Sequence, residues 1–238
     1  MKEAVLYLIP APLGDADPRL VIPEGTIEKV RELHYFVVEE LRSARRYLSS
    51  LGLQVQTLEM GLLNEHTIPE EMNPLLDPMR KGFSMGLISE AGLPAVADPG
   101  AGLVALAHEN GFQVVPLTGP SSLMLALMAS GLNGQQFAFH GYLPVKPQMR
   151  DKKIRELERD SARDHQTQIF IETPYRNAAL FRALVACCHP RTKLTIALNL
   201  TMPDAFTRTQ TIEDWRKNEP GFEGIYRKKP CVFLIMAD

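Results

Sequence analysis

Apolar and β-branched runs alternate with helix-like stretches through the first half of the chain. The runs are AVLYLI at 4–9, HYFVVE at 34–39, QVQTLEM at 54–60, SMGLIS at 84–89 and QVVPL at 113–117. Helical patterning covers residues near 25–33, 43–51, 70–81, 101–110 and 121–130. This alternation predicts a parallel sheet wrapped by helices, and right-handed crossovers leave few topologies open to it. After the turn-like LNGQQ a second series follows: FAFHGYL, QTQIFIE, KLTIALNL, DAFTRTQT and PCVFLIMA, with helices near 147–160 and 175–188. The runs at 194–200 and 205–210 are joined by a short turn holding Pro203 and Asp204, which suits an antiparallel hairpin better than a crossover. The expectation is two α/β domains, 1–133 with a mostly parallel sheet and 134–238 with a mixed one. The boundary falls near 131–137, and there is no internal repeat or low-complexity tract.

Composition narrows the class. At 238 residues, 45% hydrophobic and 23% charged, the chain is that of an ordinary globular protein. A net charge of -2 supplies no global field toward nucleic acid or an anionic membrane, so any RNA contact must use a local patch. The apolar start of the chain soon meets Pro10, Pro12, Gly14 and Asp15, and no run of the roughly 18 residues of a membrane span is continuously apolar. The expected setting is cytoplasmic, with no membrane partner. Cys187, Cys188 and Cys231 form no CxxC pair and read as small buried residues, and six scattered histidines lack a metal-binding spacing, so no metal is expected.

Chemistry concentrates in three loops rich in glycine and proline, each following a predicted strand of the first domain: PAPLGD at 10–15, SEAGLPAVADPG at 89–100 and TGPSS at 118–122. In a parallel sheet, ligands bind where loops leave the carboxyl ends of strands. There is no GxxxxGK[ST] or GxGxxG phosphate cradle, and GPSS is not a GxSxG nucleophile elbow.

SEAGLPAVADPG, followed by VVPLTGPSSLMLALMASGL, FHGYLP and IFIETPYR, resembles the tetrapyrrole methylase superfamily, which transfers methyl from S-adenosylmethionine. The nearest branch is the ribosomal RNA small-subunit methyltransferase I family, which methylates a ribose 2′-hydroxyl of 16S rRNA. The resemblance implies a tetrapyrrole methylase fold: an N-terminal Rossmann-like domain, a C-terminal mixed domain and a cofactor cleft between them, in a homodimer. Carried over residue by residue, it implies cofactor contacts at Pro10, Leu13, Gly92, Leu93, Pro94, Val96, Ser121 and Ser122. From the second domain come Glu172, Leu198, Asn199 and Pro230.

Departures from the branch bear on the acceptor. Where the branch shows AEDTR this chain reads VEELR, keeping Glu39 and Arg42 but placing Glu40 for aspartate and Leu41 for threonine. The first loop lacks the asparagine of the branch's ATPIGNLGDIS, and RELTK is replaced by ALNLT at 197–201. Methyl transfer needs in-line alignment and no metal, while an alcohol nucleophile needs its proton accepted. Candidate bases are Glu39, Glu90, Glu172 and His66, and Asp98 reads as the cap of the helix starting near 101. The stretch 146–163 holds seven Lys or Arg against four acids and reads as a solvated helix with i,i+4 pairs Asp151/Arg155 and Lys152/Glu156. Arg42, Arg45 and Arg46, with Arg227, Lys228 and Lys229, are candidates for an RNA face. Two other readings are open: methylation of a tetrapyrrole precursor, and a degenerate relative that binds S-adenosylmethionine without transfer or serves only in interactions.

Overall fold

In the computed structural model, residues 4–222 and 228–237 are described, with only the backbone for 218–222. The chain forms two compact units, Met1–Ser121 and Ser122–Asp238. In the first, β1 (Val5–Ile9), β2 (Tyr35–Val38), β3 (Glu59–Leu62), β4 (Met85–Ile88) and β5 (Gln113–Pro116) form a wholly parallel sheet in the order β3-β2-β4-β1-β5. Both faces are covered, which is why its central strands are apolar throughout. On one face Ile9, Phe36 and Val38 pack with residues of α1 (Glu24–Arg31) and α2 (Leu41–Ser50), including Ile27 and Leu48. On the other, Leu6, Val37 and Leu87 pack with Leu103 and Ala107 of α5 (Gly100–Glu109).

Two elements of this unit differ from the sequence reading. The helix expected over 70–81 is broken into α3 (Pro69–Met72), a 3-10 turn (Asn73–Leu76) and α4 (Asp77–Arg80). Pro74 and Pro78 remove amide donors and obstruct a continuous ladder. The third strand starts at Glu59 rather than 54, because Val55–Thr57 closes a 3-10 turn in which the Thr57 hydroxyl donates to the Gln54 carbonyl.

The second unit holds β6 (Phe137–Tyr142), β7 (Thr167–Glu172), β8 (Lys193–Leu198), β9 (Phe206–Thr211) and β10 (Cys231–Met236), ordered β6-β7-β10-β8-β9. Only β6 and β7 pair in parallel, so the sheet is mixed, and β8 with β9 form the antiparallel hairpin expected from the sequence. One face is covered by α6 (Ser122–Ser130), whose Ala126 and Leu127 pack with Ile169, Ala197, Val232 and Leu234. This packing puts α6 in the second unit, so the division falls after Ser121, whereas the turn-like LNGQQ from which the boundary was expected follows that helix. The other face is covered by α7 (Pro147–Asp164), α8 (Asn177–Cys187) and α9 (Ile212–Phe222), with Phe181 and Trp215 against the sheet. The sequence reading did not include α9; its anchor is Trp215, fully buried, with its indole N–H donating to the Leu194 carbonyl at 2.9 Å. On α7 the ion pairs among the described residues include Lys153–Glu156 and Arg163–Asp160, at i,i+3, and Arg150–Asp151 and Arg163–Asp164 between neighbours, rather than the i,i+4 pairs expected. Among the described residues no helix is long and apolar enough to cross a membrane.

Candidate active site

Neighbouring strands β1 and β4 send their connections in opposite directions across the first sheet: β1 leads toward β2 and β4 toward β5. Open α/β sheets bind ligands at such a switch point, beyond the carboxyl ends of the strands. The glycine- and proline-rich loops at 10–15 and 89–100 leave from there. Ala11 and Gly92 tie them together by a reciprocal pair of backbone hydrogen bonds, 2.8 and 3.0 Å. A Cβ on Gly92 would meet Leu13 at 3.3 Å and the Pro120 carbonyl at 3.9 Å, so all three loops converge on one glycine at φ +72. Pro10 is buried, packs against Gly119, and its carbonyl accepts the Tyr47 hydroxyl at 2.8 Å.

The second loop is held in a demanding conformation. Ala95 and Ala97 lie at φ 66 and 62, a left-handed region that costs a non-glycine residue about 1–2 kcal/mol. Asp98 holds it there: both of its carboxylate oxygens accept the Ala95 N–H, at 2.9 and 3.0 Å, and one accepts the Gly100 N–H at 2.7 Å. It thus serves the first amide of α5 as the sequence suggested and clamps the loop as well. Burial raises the Asp98 pKa above its ordinary value, against those backbone hydrogen bonds. Leu93 is half-buried, Pro94 buried and Val96 exposed.

Glu39 and Glu90 are brought together: Glu39 Oε2 accepts the Glu90 N–H at 3.0 Å, and the Glu39 N–H donates to the Ile88 carbonyl. Burial raises the Glu39 pKa, a hydrogen bond from Glu90 opposes this, and the charges of Asp98, Glu90 and Glu65 add to the rise. Glu40 caps α2, accepting the Arg42 and Ser43 amides at 2.8 and 2.6 Å. His66 stands apart, its side chain 83% exposed and 3.7 Å from the Glu65 carboxylate.

In the second unit, Glu172, Leu198 and Cys231 form one cross-strand row, since Cys231 of β10 pairs with both. The Asn199 N–H donates to the Pro230 carbonyl at 3.1 Å, which gathers the four expected residues of this unit at one end of its sheet. Glu172 is 7% exposed, and its Oε1 takes the Arg176 guanidinium at 2.6 Å and the Thr173 N–H at 2.6 Å. Asn199 and Thr201 have φ of 45 and 73, and the Asn199 amide donates to Asp204, itself paired with Lys229 at 2.8 Å. Ser121 closes the first unit and Ser122 opens α6. Arg227 lies outside the described residues. Among them, no three His, Cys, Asp or Glu side chains gather as a metal site. Tyr47 and the left-handed alanines went unnoticed in the sequence, where nothing local marks them.

A cavity of about 420 Å³ lies at the switch point, walled by the loop 11–18, by α2 and by residues 88–91. Leu13 and Glu90, both expected from the sequence, line it.

Two α/β units of this topology form a fold that solved methyltransferases share. The methyltransferase CobJ matches with TM-score 0.65 at 15% identity, over 99% of this chain and 94% of that one. A cobalt precorrin-4 methyltransferase matches at 0.62 and 16%, over 98% and 94%. No family model matches the chain. Among curated proteins, the ribosomal RNA small subunit methyltransferase I of Mesorhizobium japonicum is 35% identical over 211 residues, 88% of this chain and 68% of that protein. That of Vibrio cholerae is 30% identical over 197 residues, 83% of this chain and 65% of its own length. The chain belongs to the ribosomal RNA small subunit methyltransferase I family, and it spans about two thirds of the length of these relatives.

Proposed function

We propose that the chain transfers a methyl group from S-adenosylmethionine to RNA, with a ribose 2′-hydroxyl of small-subunit ribosomal RNA as acceptor. Family membership supports the reaction class, and the convergence of three tied loops at the β1/β4 switch point carries the site. When bound, S-adenosylmethionine supplies an electrophilic methyl on a sulfonium. The residues present fit it. Gly92 lets the loop backbone come close, since a Cβ there would meet Leu13 at 3.3 Å, and Leu13, Leu93 and Pro94 are the apolar side chains these loops offer. A donor without phosphates needs no phosphate cradle.

In this reading Pro10, Leu13, Gly92, Leu93, Pro94, Val96, Ser121 and Ser122, with Glu172, Leu198, Asn199 and Pro230, hold the cofactor. Glu39 is the favoured base, because burial raises its pKa toward the range in which a carboxylate accepts a proton effectively. Glu172 is committed to Arg176, and His66 is too exposed to be held in one orientation. The setting in this reading is the cytoplasm and the assembly a homodimer, which sedimentation against the 26.6 kDa of one chain would test.

The deciding experiment is calorimetric titration with S-adenosylmethionine and S-adenosylhomocysteine, with Leu93→Arg as the blocked variant. Saturable micromolar binding to the wild type, lost in Leu93→Arg, is expected, followed by labelled methyl transfer to small ribosomal subunits. Failure of the wild type to bind either molecule would refute the assignment and leave a degenerate relative.

A further inference from the structure

The cavity at the switch point is polarised by element. Its α2 side presents Ser43, Arg46 and Ser50, its loop side Asp15 and Asp17, and Glu90 stands at the turn after β4. Asp17 is engaged by the Arg19 N–H. Arg46 shares the exposed side of α2 with Arg42 and Arg45, while Ala44, Tyr47 and Leu48 face the core. None of the three arginines makes an ion pair among the described residues, although Glu40 lies near Arg42.

We infer that this cavity and the arginine face beside it dock the acceptor RNA, one unpaired nucleotide entering the cavity with its flanking phosphates on Arg46 and Arg42. This rests on the proposed RNA methylation and adds the site on which the acceptor is held. Unpaired guanidinium groups on one side and carboxylates on the other call for a ligand that is anionic at one end and rich in hydrogen-bond donors at the other. A nucleotide within a single strand is such a ligand: phosphate at one end, sugar hydroxyls and base N–H groups at the other. A wholly anionic ligand would meet Asp15 and Glu90, and a basic peptide would meet three arginines. The volume of about 420 Å³ admits one nucleotide and not a duplex. Proteins read RNA mainly through such splayed-out nucleotides. With a net charge of -2 on the chain, the attraction must be local, as this face is.

The test is fluorescence anisotropy of the full chain with a labelled single-stranded RNA of about 20 nucleotides, across a salt series. Arg46→Gln and Arg42→Gln are expected to weaken binding about 3- to 10-fold and to lower the salt slope by about one each. Ser50→Trp, which fills the cavity without changing charge, should weaken binding with the slope kept, and thermal melts verify that each variant folds. Wild-type affinity and slope in both arginine variants would overturn the docking site, as would absence of RNA binding by the wild type. Calorimetry with S-adenosylmethionine separates the two readings. Donor binding with RNA affinity indifferent to the arginines removes the docking site alone. Arginine-dependent RNA binding without donor binding keeps the docking site and removes the methyl-donor reading.

Discussion

Gly119→Ala isolates the contact between the first and third loops. Gly119 has no left-handed φ, so alanine's backbone preferences are satisfied there and only the added methyl matters. That methyl would fall under 3.0 Å from Cβ and Cγ of Pro10 and 3.4 Å from Ile22 Cδ1. Carbon atoms prefer about 3.5–4.0 Å. The neighbour that must yield is a buried, rigid ring whose carbonyl is held by the Tyr47 hydroxyl at 2.8 Å, not the end of a flexible chain. Overpacking of this kind costs about 1–3 kcal/mol, and the rigidity of the ring argues for about 2 kcal/mol. At about 2–4 °C per kcal/mol for a chain of this size, Tm should fall by about 4–8 °C. Gly25→Ala, in α1 with nothing within 4 Å of its Cβ, is the opposing control and should gain about 0.5–1 kcal/mol. Paired thermal melts and S-adenosylmethionine titrations read both effects. A Tm within a degree of wild type for Gly119→Ala, with donor affinity intact, would show that the loops are not packed as described.

Tyr47→Phe leaves the Pro10 carbonyl without its donor in a buried setting and should cost about 1–3 kcal/mol in urea denaturation, with weaker donor binding. Asp98→Ala removes the acceptor of the Ala95 and Gly100 amides; the expected loss is about 1–2 kcal/mol, and Ala95 is freed from its left-handed conformation, so donor affinity should fall more than stability does. For pH, the folded state raises the Glu39 and Asp98 pKa values above their ordinary 4.5 and 3.8. Their contribution to stability is therefore complete below those values and lost as pH climbs through the raised ones. Glu39→Gln, which keeps an acceptor for the Glu90 N–H, should flatten the decline of Tm above pH 4.5, and parallel profiles for variant and wild type would refute the burial argument.

The central strands β2, β4 and β1 of the first sheet are legible in the sequence because helices bury both faces, which turns each of them into a short unbroken apolar run bounded by turn residues. What local patterning cannot convey is where a tertiary contact takes over. The third strand begins late because a threonine hydroxyl closes a turn inside an otherwise strand-like run. Over 70–81 the interruption is written locally, since Pro74 and Pro78 cannot donate to a continuous ladder. SLMLALMAS in α6 is apolar on nearly every side, so its length suits a helix while no amphipathic period tells which sheet it packs on. IEDWRKNEPGF in α9 hides the buried Trp215 among charges and carries Pro-Gly near its end, which reads as a turn.

The candidate site shows the same division. Glycine and proline announced the loops, because a backbone that must turn sharply or approach a ligand leaves that composition behind. The means by which the loops are held is invisible locally, since it lies in long-range ties: Ala11 to Gly92, Tyr47 to Pro10 and Glu39 to Glu90. Two left-handed residues of the second loop are alanines where a turn signature would call for glycine, so the conformation is imposed by the Asp98 carboxylate rather than preferred by the residues that adopt it. A loop imposed in this way stays in place without a ligand, which cuts the ordering cost of binding. It is correspondingly sensitive to groups that touch no ligand. On this argument Tyr47 and Asp98, neither of them among the proposed cofactor contacts, should alter donor affinity more than Val96 does, whose side chain is exposed. Val96→Ala, which keeps the backbone through which Val96 would meet the donor, binding it as wild type does, beside a weakened Tyr47→Phe, is the pattern that imposed backbone geometry requires. The reverse ranking would mean that side-chain contact, not loop conformation, makes the site.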